Sequence, residues 1–212
     1  MKILIILAGH EMSSDFLHKI RKLADYIELL RHSTEVDVAC ISSFDDFSDY
    51  DKFLNFKYKI VNPKKQLSKV CDFLSSIPND YSWYIKMRPD IEFMDPINFS
   101  TLKPGHINAR VRVYTGRKRL KNGASVGAGS YAGYKNAISL GFIEKMILDD
   151  QVYIFDYSLK SVFTPFEYNS EMYENEWFHD KYWKAKNVQL NMIPLNVVFS
   201  NSKVYVPSGN VN

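Results

Sequence analysis

The strongest constraint on the fold is an apolar run at the amino terminus that is followed directly by an amphipathic helix. Residues 3–8 are apolar without a break, which is typical of a strand buried on both faces of a parallel sheet. Ser13 and Ser14 offer an N-cap, and apolar residues then recur at helical spacing to about Arg31. The chain is therefore predicted to open with a buried strand and a helix that packs on it.

Predicted strands and helices alternate through the first 90 residues. Further strands are predicted at about 36–41, 58–61 and 81–87, and a second helix at about 67–77. Strands that alternate with crossover helices predict an α/β domain, in which helices flank a central, mostly parallel mixed sheet. Ligands of such sheets bind outside the carboxyl ends of the strands.

The second half of the chain is less regular. His106–Tyr114 alternates like a strand, whereas Tyr134–Leu148 has helical spacing. A third helix is predicted at about 174–186, and two short strands at about 188–193 and 196–199.

The chain length indicates a single domain. Residues 1–206 are expected to form it, in two halves, 1–100 and 101–206. Residues 207–212 resemble a linker, so we expect further domains to follow in a longer chain.

Composition narrows the function classes. The net charge is 27 − 24 = +3, too weak to indicate a nucleic-acid partner. Cys40 and Cys71 are predicted to be buried free thiols, which implies a reducing compartment and a cytoplasmic location. The apolar amino terminus is too short for a membrane span. Aromatic residues reach 15%, a surplus that suits cores and sugar-stacking sites alike.

The triplet Arg88-Pro89-Asp90 carries the strongest chemical signal. It follows the predicted strand at 81–87, at the edge where ligands bind. A divalent cation on a diphosphate takes one or two carboxylates together with phosphate oxygens. Asp90 is placed for that role, and Arg88 could neutralise a phosphate. A surface turn with an Arg–Asp pair explains the triplet equally well.

The order of elements and this triplet resemble the GT-A-type glycosyltransferases, which transfer a sugar from a nucleotide-diphosphate donor. Their signature is Asp-x-Asp with a bound divalent metal; here Asp90 matches the last position and Arg88 replaces the first. The resemblance implies Mn²⁺ or Mg²⁺ at Asp90, a UDP-sugar donor and a saccharide or glycoprotein acceptor. Within the family, the chain resembles a small glycosyltransferase domain encoded by a large algal DNA virus, which implies a role in glycan synthesis.

The resemblance implies that residues 1–100 form a nucleotide-binding half and residues 101–206 an acceptor-side half. It also implies roles for the residues around the first strand and the second helix. Ala8, Gly9 and His10 correspond to the floor under the base and ribose. Lys65 and Lys69, with their neighbour Lys64, lie where donor phosphates bind in related enzymes. An ordinary strand-to-helix turn and a solvated helix face are the alternative interpretations.

For the transfer step, the resemblance implies a carboxylate base near the start of a late helix. Glu176 is the first candidate and Glu174 the second, while Asp90 would assist the leaving group through the metal. Glu176 and His179 are three residues apart and share a helix face, and His179 is a candidate second metal ligand. An exposed helix face remains the alternative for each.

Three further patterns leave alternatives open. Gly127–Gly133, with Asp149 and Asp150 downstream, imitates a dinucleotide fingerprint but lacks a buried strand before it. The basic stretch from Arg110 to Lys121 suits an anionic acceptor, a donor phosphate, nucleic acid or a solvated hairpin. Aromatic residues between 166 and 183 suggest a sugar-stacking cleft. The rival functions are therefore a non-catalytic nucleotide- or glycan-binding module and a dinucleotide-dependent oxidoreductase.

Overall fold

Seven of the described strands form one central sheet, with helices packed on both of its faces. The computed structural model describes residues 1–9, 12, 14–115, 143–148, 150–166, 176–193, 195 and 197–199. In chain order the elements are β1 (Lys2–Ala8), α1 (Leu17–Arg31), β2 (Glu35–Ser42), β3 (Tyr58–Val61), α2 (Gln66–Ser76), β4 (Trp83–Met87), β5 (Ile91–Phe93), β6 (His106–Ala109), β7 (Val111–Thr115), β8 (Ile143–Leu148), β9 (Val152–Asp156), α3 (Glu176–Ala185), β10 (Gln189–Met192) and β11 (Val197–Phe199).

The strand order in the central sheet is β10-β6-β9-β4-β1-β2-β3. Strands β1 to β4 pair in parallel with one another, and β6 pairs in parallel with β10. Strand β9 runs antiparallel to both β4 and β6. This mostly parallel sheet with flanking helices confirms the predicted α/β fold. The carboxyl ends of β1, β2 and β4 meet at one edge, because the three strands run side by side in one direction.

Strand β1 is buried on both faces, as its apolar run predicts. Ile3, Ile5 and Leu7 pack into a core layer that contains the apolar face of α1. Their alternate neighbours, from Leu4 to Ala8, pack into a second layer with α2. Since successive strand residues point to opposite faces, one short apolar segment anchors both layers.

Two of the predicted element boundaries are wrong. Helix α1 begins at Leu17, after a 3-10 helix at Ser14–Phe16, and Phe16 occupies the cap position without a side-chain hydrogen bond. The single strand predicted for His106–Tyr114 is interrupted at Arg110, which is buried. The two strands on either side of this break belong to different sheets, so Arg110 is not part of a solvated hairpin face.

The helix predicted for Tyr134–Leu148 is wrong over its last six residues, which form strand β8. Strand β8 pairs antiparallel with β7, so a partner distant in sequence overrides the helical spacing of its apolar residues. Residues 116–142 lie outside the described part of the chain. Strand β9 was not predicted, because a run of only four apolar residues, from Val152 to Phe155, does not by itself distinguish a strand from a helix.

Both cysteines are free and buried, as predicted. Burial raises the pKa of the Cys40 thiol, so this thiol stays protonated near neutral pH. No helix in the described ranges is long and apolar enough to cross a membrane.

A buried ion pair fixes α1 to β5, the strand that follows the Arg88-Pro89-Asp90 triplet. The Glu92 carboxylate accepts a hydrogen bond of 2.7 Å from Lys19 Nζ and a second from Lys22 Nζ. Burial alone would raise the pKa of Glu92, but hydrogen bonds and charge from the two lysines outweigh it and lower that pKa. Glu92 therefore has a structural role.

Replacing Glu92 with glutamine is expected to lower the free energy of unfolding at pH 7 by about 1–3 kcal/mol. Because the folded-state pKa is lowered, the stabilisation is complete above the ordinary value of 4.5 and is lost as pH falls through the folded pKa. The difference between wild type and Glu92→Gln in urea unfolding should therefore shrink in acid. Glu28→Gln, in the exposed pair with Arg31, is the control and should cost less than about 0.5 kcal/mol. A difference independent of pH would contradict this account.

Candidate functional site

A cleft of about 470 Å³ opens at the carboxyl edge of the central sheet. Its walls come from the segments after β1 and β4, the amino-terminal end of α2, and α3. Open α/β sheets bind their ligands at this edge. The cleft is therefore the expected ligand-binding site, and the candidate residues predicted from the sequence should line it.

Six residues selected from the sequence line this cleft: Gly9, Lys65, Lys69, Arg88, Asp90 and His179. Ala8 lies directly behind them as the last residue of β1 and is fully buried. His10 and Glu174 lie outside the described residues. The backbone of Glu176 begins α3, and its side chain is outside what the structure describes.

The floor of the cleft is held by side chains from α2. Gln66 Nε2 donates a hydrogen bond of 3.1 Å to the Ala8 carbonyl, and Lys69 Nζ donates one of 2.7 Å to the Gly9 carbonyl. Lys69 Nζ also donates to Ser43 Oγ at 2.9 Å. Buried Lys69 thus joins the ends of β1 and β2, a role that the sequence analysis missed, since it considered only a phosphate contact or a solvated helix face.

The amino-terminal end of α2 makes one wall electropositive. Lys65 is exposed and occupies the N-cap position without a side-chain cap, and the first turn contains no acidic residue. Within the described part of the chain Lys65 makes no ion pair, whereas Lys64 Nζ lies 3.0 Å from Asp72 Oδ2. The helix dipole adds partial positive charge at this end. This wall suits an anion.

Arg88 and Asp90 form a two-point ion pair across the turn after β4. Arg88 Nε donates to Asp90 Oδ1 at 2.8 Å, and Arg88 Nη2 donates to Asp90 Oδ2 at 2.6 Å. The Asp90 side chain is 6% exposed and that of Arg88 is 38% exposed. The pair therefore presents the guanidinium to solvent and keeps the carboxylate below it.

Asp150 lies in the same cleft, whereas the sequence analysis considered it only as a downstream acid of a dinucleotide-like pattern. It immediately precedes Gln151, whose carbonyl accepts a 3.1 Å hydrogen bond from the Arg88 backbone N–H. The buried Lys86 ammonium donates to the Asp150 carbonyl and lies 5.2 Å from the centre of the Tyr153 ring. Antiparallel pairing of β9 with β4 returns this segment to the cleft, and nothing in the local sequence signals it. The glycine-rich segment at 127–133 lies outside the described residues.

Helix α3 contributes His179, which is 2% exposed and borders the cleft. Its ring meets Tyr153 edge-on, with 6.2 Å between the ring centres. One turn later, Trp183 is 1% exposed and packs against Tyr153 and Phe163 in the core. Trp183 is therefore a core residue and cannot stack on a sugar. The side chain of Trp177 is outside the described part of the chain.

The residues of this cleft do not fit a divalent metal bound by protein carboxylates. Both Asp90 oxygens already accept N–H groups from Arg88, and an arginine stays protonated in proteins. Among the residues that the structure describes, no three His, Cys, Asp or Glu side chains come together as a metal-binding group. We therefore derive no step through a metal at Asp90 and His179.

Comparison with known proteins gives structural similarity at low sequence identity. No family model and no curated protein matches the chain. The 4-diphosphocytidyl-2C-methyl-D-erythritol synthase of Anaerococcus prevotii is 8% identical, with a TM-score of 0.57 over 96% of this chain and 91% of that one. A Bacillus anthracis structure named as a putative glucose-1-phosphate thymidylyltransferase is 13% identical. Its TM-score is 0.54, over 96% of this chain and 91% of that one.

A catalytic domain of Drosophila β1,4-galactosyltransferase 7 was also found, at 7% identity and a TM-score of 0.49, covering 100% of this chain and 71% of that one. A TM-score below 0.5 is too low to support a conclusion about this chain. The two more similar structures establish the fold and not the reaction. The chain thus has the Rossmann-like α/β fold of the GT-A type.

The two lysines of α2 are predicted to differ in their effect on stability. Lys69→Met removes the buried donor shared by Gly9 and Ser43, and should lower the free energy of unfolding by about 1–3 kcal/mol. Lys65→Met, at an exposed position, should change it by no more than about 0.5 kcal/mol. Urea unfolding of both variants checks this, and equal losses would contradict the structural role of Lys69.

Proposed function

We propose that the chain is a glycosyltransferase that transfers a sugar from a UDP-sugar donor to a saccharide or glycoprotein acceptor. The observation that carries the proposal is the cleft itself, at the carboxyl edge of the sheet, with Lys65 and Arg88 both among its lining residues. A diphosphate is the anion that such a pair of cationic walls suits. The nucleotide would enter over Gly9, where the absence of a side chain lets a ring approach the backbone.

The cleft offers three different contacts to the diphosphate. The exposed Lys65 ammonium is a mobile point charge, the amino-terminal end of α2 provides a fixed dipole, and the Arg88 guanidinium is a planar fork that suits phosphate oxygens. Together they would stabilise the charge that develops on UDP as the glycosidic bond to phosphate breaks.

Glu176 is the proposed general base. It lies three residues before His179 on α3 and so shares a helix face with a residue of the cleft wall. In the proposed step, the acceptor hydroxyl oxygen attacks the anomeric carbon while Glu176 takes its proton, and UDP leaves with the bonding electrons. Glu174 is the second candidate for this role.

Three predictions from the sequence analysis stay predictions. They are a role in glycan synthesis for a virus, a cytoplasmic location, that of the host cell if the protein is viral, and further domains in a longer chain. The proposal above depends on none of them.

A second candidate function is nucleotidyl transfer, because two of the similar structures, both with TM-scores above 0.5, are named as a 4-diphosphocytidyl-2C-methyl-D-erythritol synthase and a glucose-1-phosphate thymidylyltransferase. Such an enzyme would join a nucleoside triphosphate to a sugar phosphate and release pyrophosphate. A third candidate is a binding module that retains the cleft but performs no transfer.

Calorimetry with UDP and UMP tests the ligand class. UDP should bind about tenfold more tightly than UMP, because the second phosphate gains charge-assisted hydrogen bonds. Lys65→Ala should weaken UDP binding about threefold to tenfold. Lys52→Ala, at an exposed lysine that does not line the cleft, is the matched control. Equal affinity for UDP and UMP would contradict the diphosphate assignment.

Product analysis separates the three candidate functions. Release of UDP that depends on a saccharide acceptor supports the glycosyltransferase. Release of pyrophosphate from a nucleoside triphosphate and a sugar phosphate supports the second candidate. Nucleotide binding without either product supports a binding module.

Glu176→Gln should lower kcat about 10²-fold to 10⁴-fold, since it removes the proton acceptor, while KM for the donor changes little. Glu28→Gln, on the exposed face of α1, is the control. Steady-state kinetics with a saturating acceptor check this. Unchanged turnover in Glu176→Gln, with a loss in Glu174→Gln, would move the base to Glu174.

A further inference from the structure

We propose that the Arg88 guanidinium, held by Asp90, takes the place of a divalent metal at the donor diphosphate, so that nucleotide binding and transfer need no divalent cation. This inference rests on the proposed function, because it concerns the same diphosphate. It assigns Arg88 as a residue that touches the donor, and Asp90 as the residue that positions it.

The first observation is the anchoring of the guanidinium. Two of its N–H groups, on Nε and Nη2, reach the two oxygens of one carboxylate at 2.8 and 2.6 Å. Asp90 is itself 4% exposed and is held in the turn that Pro89 stiffens after β4. An arginine bound at two points has a fixed plane, unlike a lysine or a singly bound arginine.

The second observation is that the anchored guanidinium still has donors to offer. A guanidinium has five N–H donors in a fixed fork, and Asp90 uses two of them. The Arg88 side chain is 38% exposed and lines the cleft. The unused donors match a phosphate group in geometry as well as charge.

The third observation is the charge balance of the site. A divalent ion on two carboxylates carries no net charge, and neither does an arginine on one carboxylate. Among the described residues, the cleft lining adds Lys64, Lys65 and Lys69 as cations and Asp150 as a second carboxylate. With Arg88 and Asp90 included, this described lining has four cations and two anions, 4 − 2 = +2. The ion pair of Lys64 with Asp72, which lies outside the lining, reduces the balance to 2 − 1 = +1. This positive charge opposes that of a diphosphate without any added ion.

The arrangement also disfavours a metal at Asp90. A cation on either oxygen would lie beside a guanidinium nitrogen at hydrogen-bond distance from the same carboxylate, and the two positive charges would repel each other. Removal of the Arg88 side chain should therefore have two effects at once: loss of phosphate donors, and exposure of a carboxylate that can ligate a divalent ion.

Calorimetry of UDP binding to the full chain, in EDTA and in Mn²⁺, tests the inference. Wild-type affinity should agree within about twofold between the two conditions. Arg88→Ala should bind UDP about tenfold or more weakly in EDTA and should regain affinity when Mn²⁺ is added. Arg88→Lys should be intermediate, because it keeps the charge and loses the fork. Arg31→Ala, in an exposed ion pair with Glu28 at the far end of α1, should behave like wild type.

Mn²⁺ titration followed by electron paramagnetic resonance gives a readout that needs no nucleotide. Wild type should leave the ion free, and Arg88→Ala should bind it. If Arg88→Ala does not fold, the comparison of EDTA and Mn²⁺ on wild type still decides the question.

Three results would overturn the inference. UDP binding by wild type only in the presence of Mn²⁺ would overturn it and leave the proposed glycosyltransferase standing. Wild-type affinity of Arg88→Ala for UDP in EDTA would likewise remove only the role of Arg88. Failure of wild type to bind any nucleoside diphosphate in either condition would overturn both the inference and the proposed function.

Discussion

The parallel pairing of β1 with β2 and β4 is the interaction on which the rest of the structure depends. It places an apolar strand inside the sheet, so that the two helical layers pack against alternate residues of the same strand. It also brings three strand ends to one edge of the sheet. Gly9, Ser43 and Arg88 each follow one of these ends within a residue, so the polar floor of the cleft is a direct consequence of the pairing.

Three cationic side chains then define the cleft at that edge. Lys69 has a structural role, because its ammonium group donates hydrogen bonds to the segments that follow β1 and β2. Arg88 is held from one side by Asp90 and remains half-exposed on the other. Exposed Lys65 faces the same space from α2. One lysine thus stabilises the site while the arginine and the other lysine are left to meet a ligand.

The parallel half of the fold could be predicted from the sequence, because the spacing of apolar residues in β1, α1 and α2 indicates which faces of these elements are buried. The triplet at Arg88 and the glycine after β1 could be selected for the same reason: they follow recognisable strands. Strand β9 could not, since it is short and its place between β4 and β6 depends on distant partners. The place of Asp150 in the cleft depends on the same pairing and could not be predicted either. Gln66 is a polar residue at a helix start, and nothing in the sequence indicates its hydrogen bond to the Ala8 carbonyl.

The most direct test of the account is a crystal structure of the chain with UDP and Mn²⁺ both present. The account predicts that the diphosphate lies between Arg88 and Lys65, with both Arg88–Asp90 hydrogen bonds intact and no manganese on Asp90. Manganese ligated by Asp90 with Arg88 displaced, or a nucleotide bound away from this cleft, would contradict it.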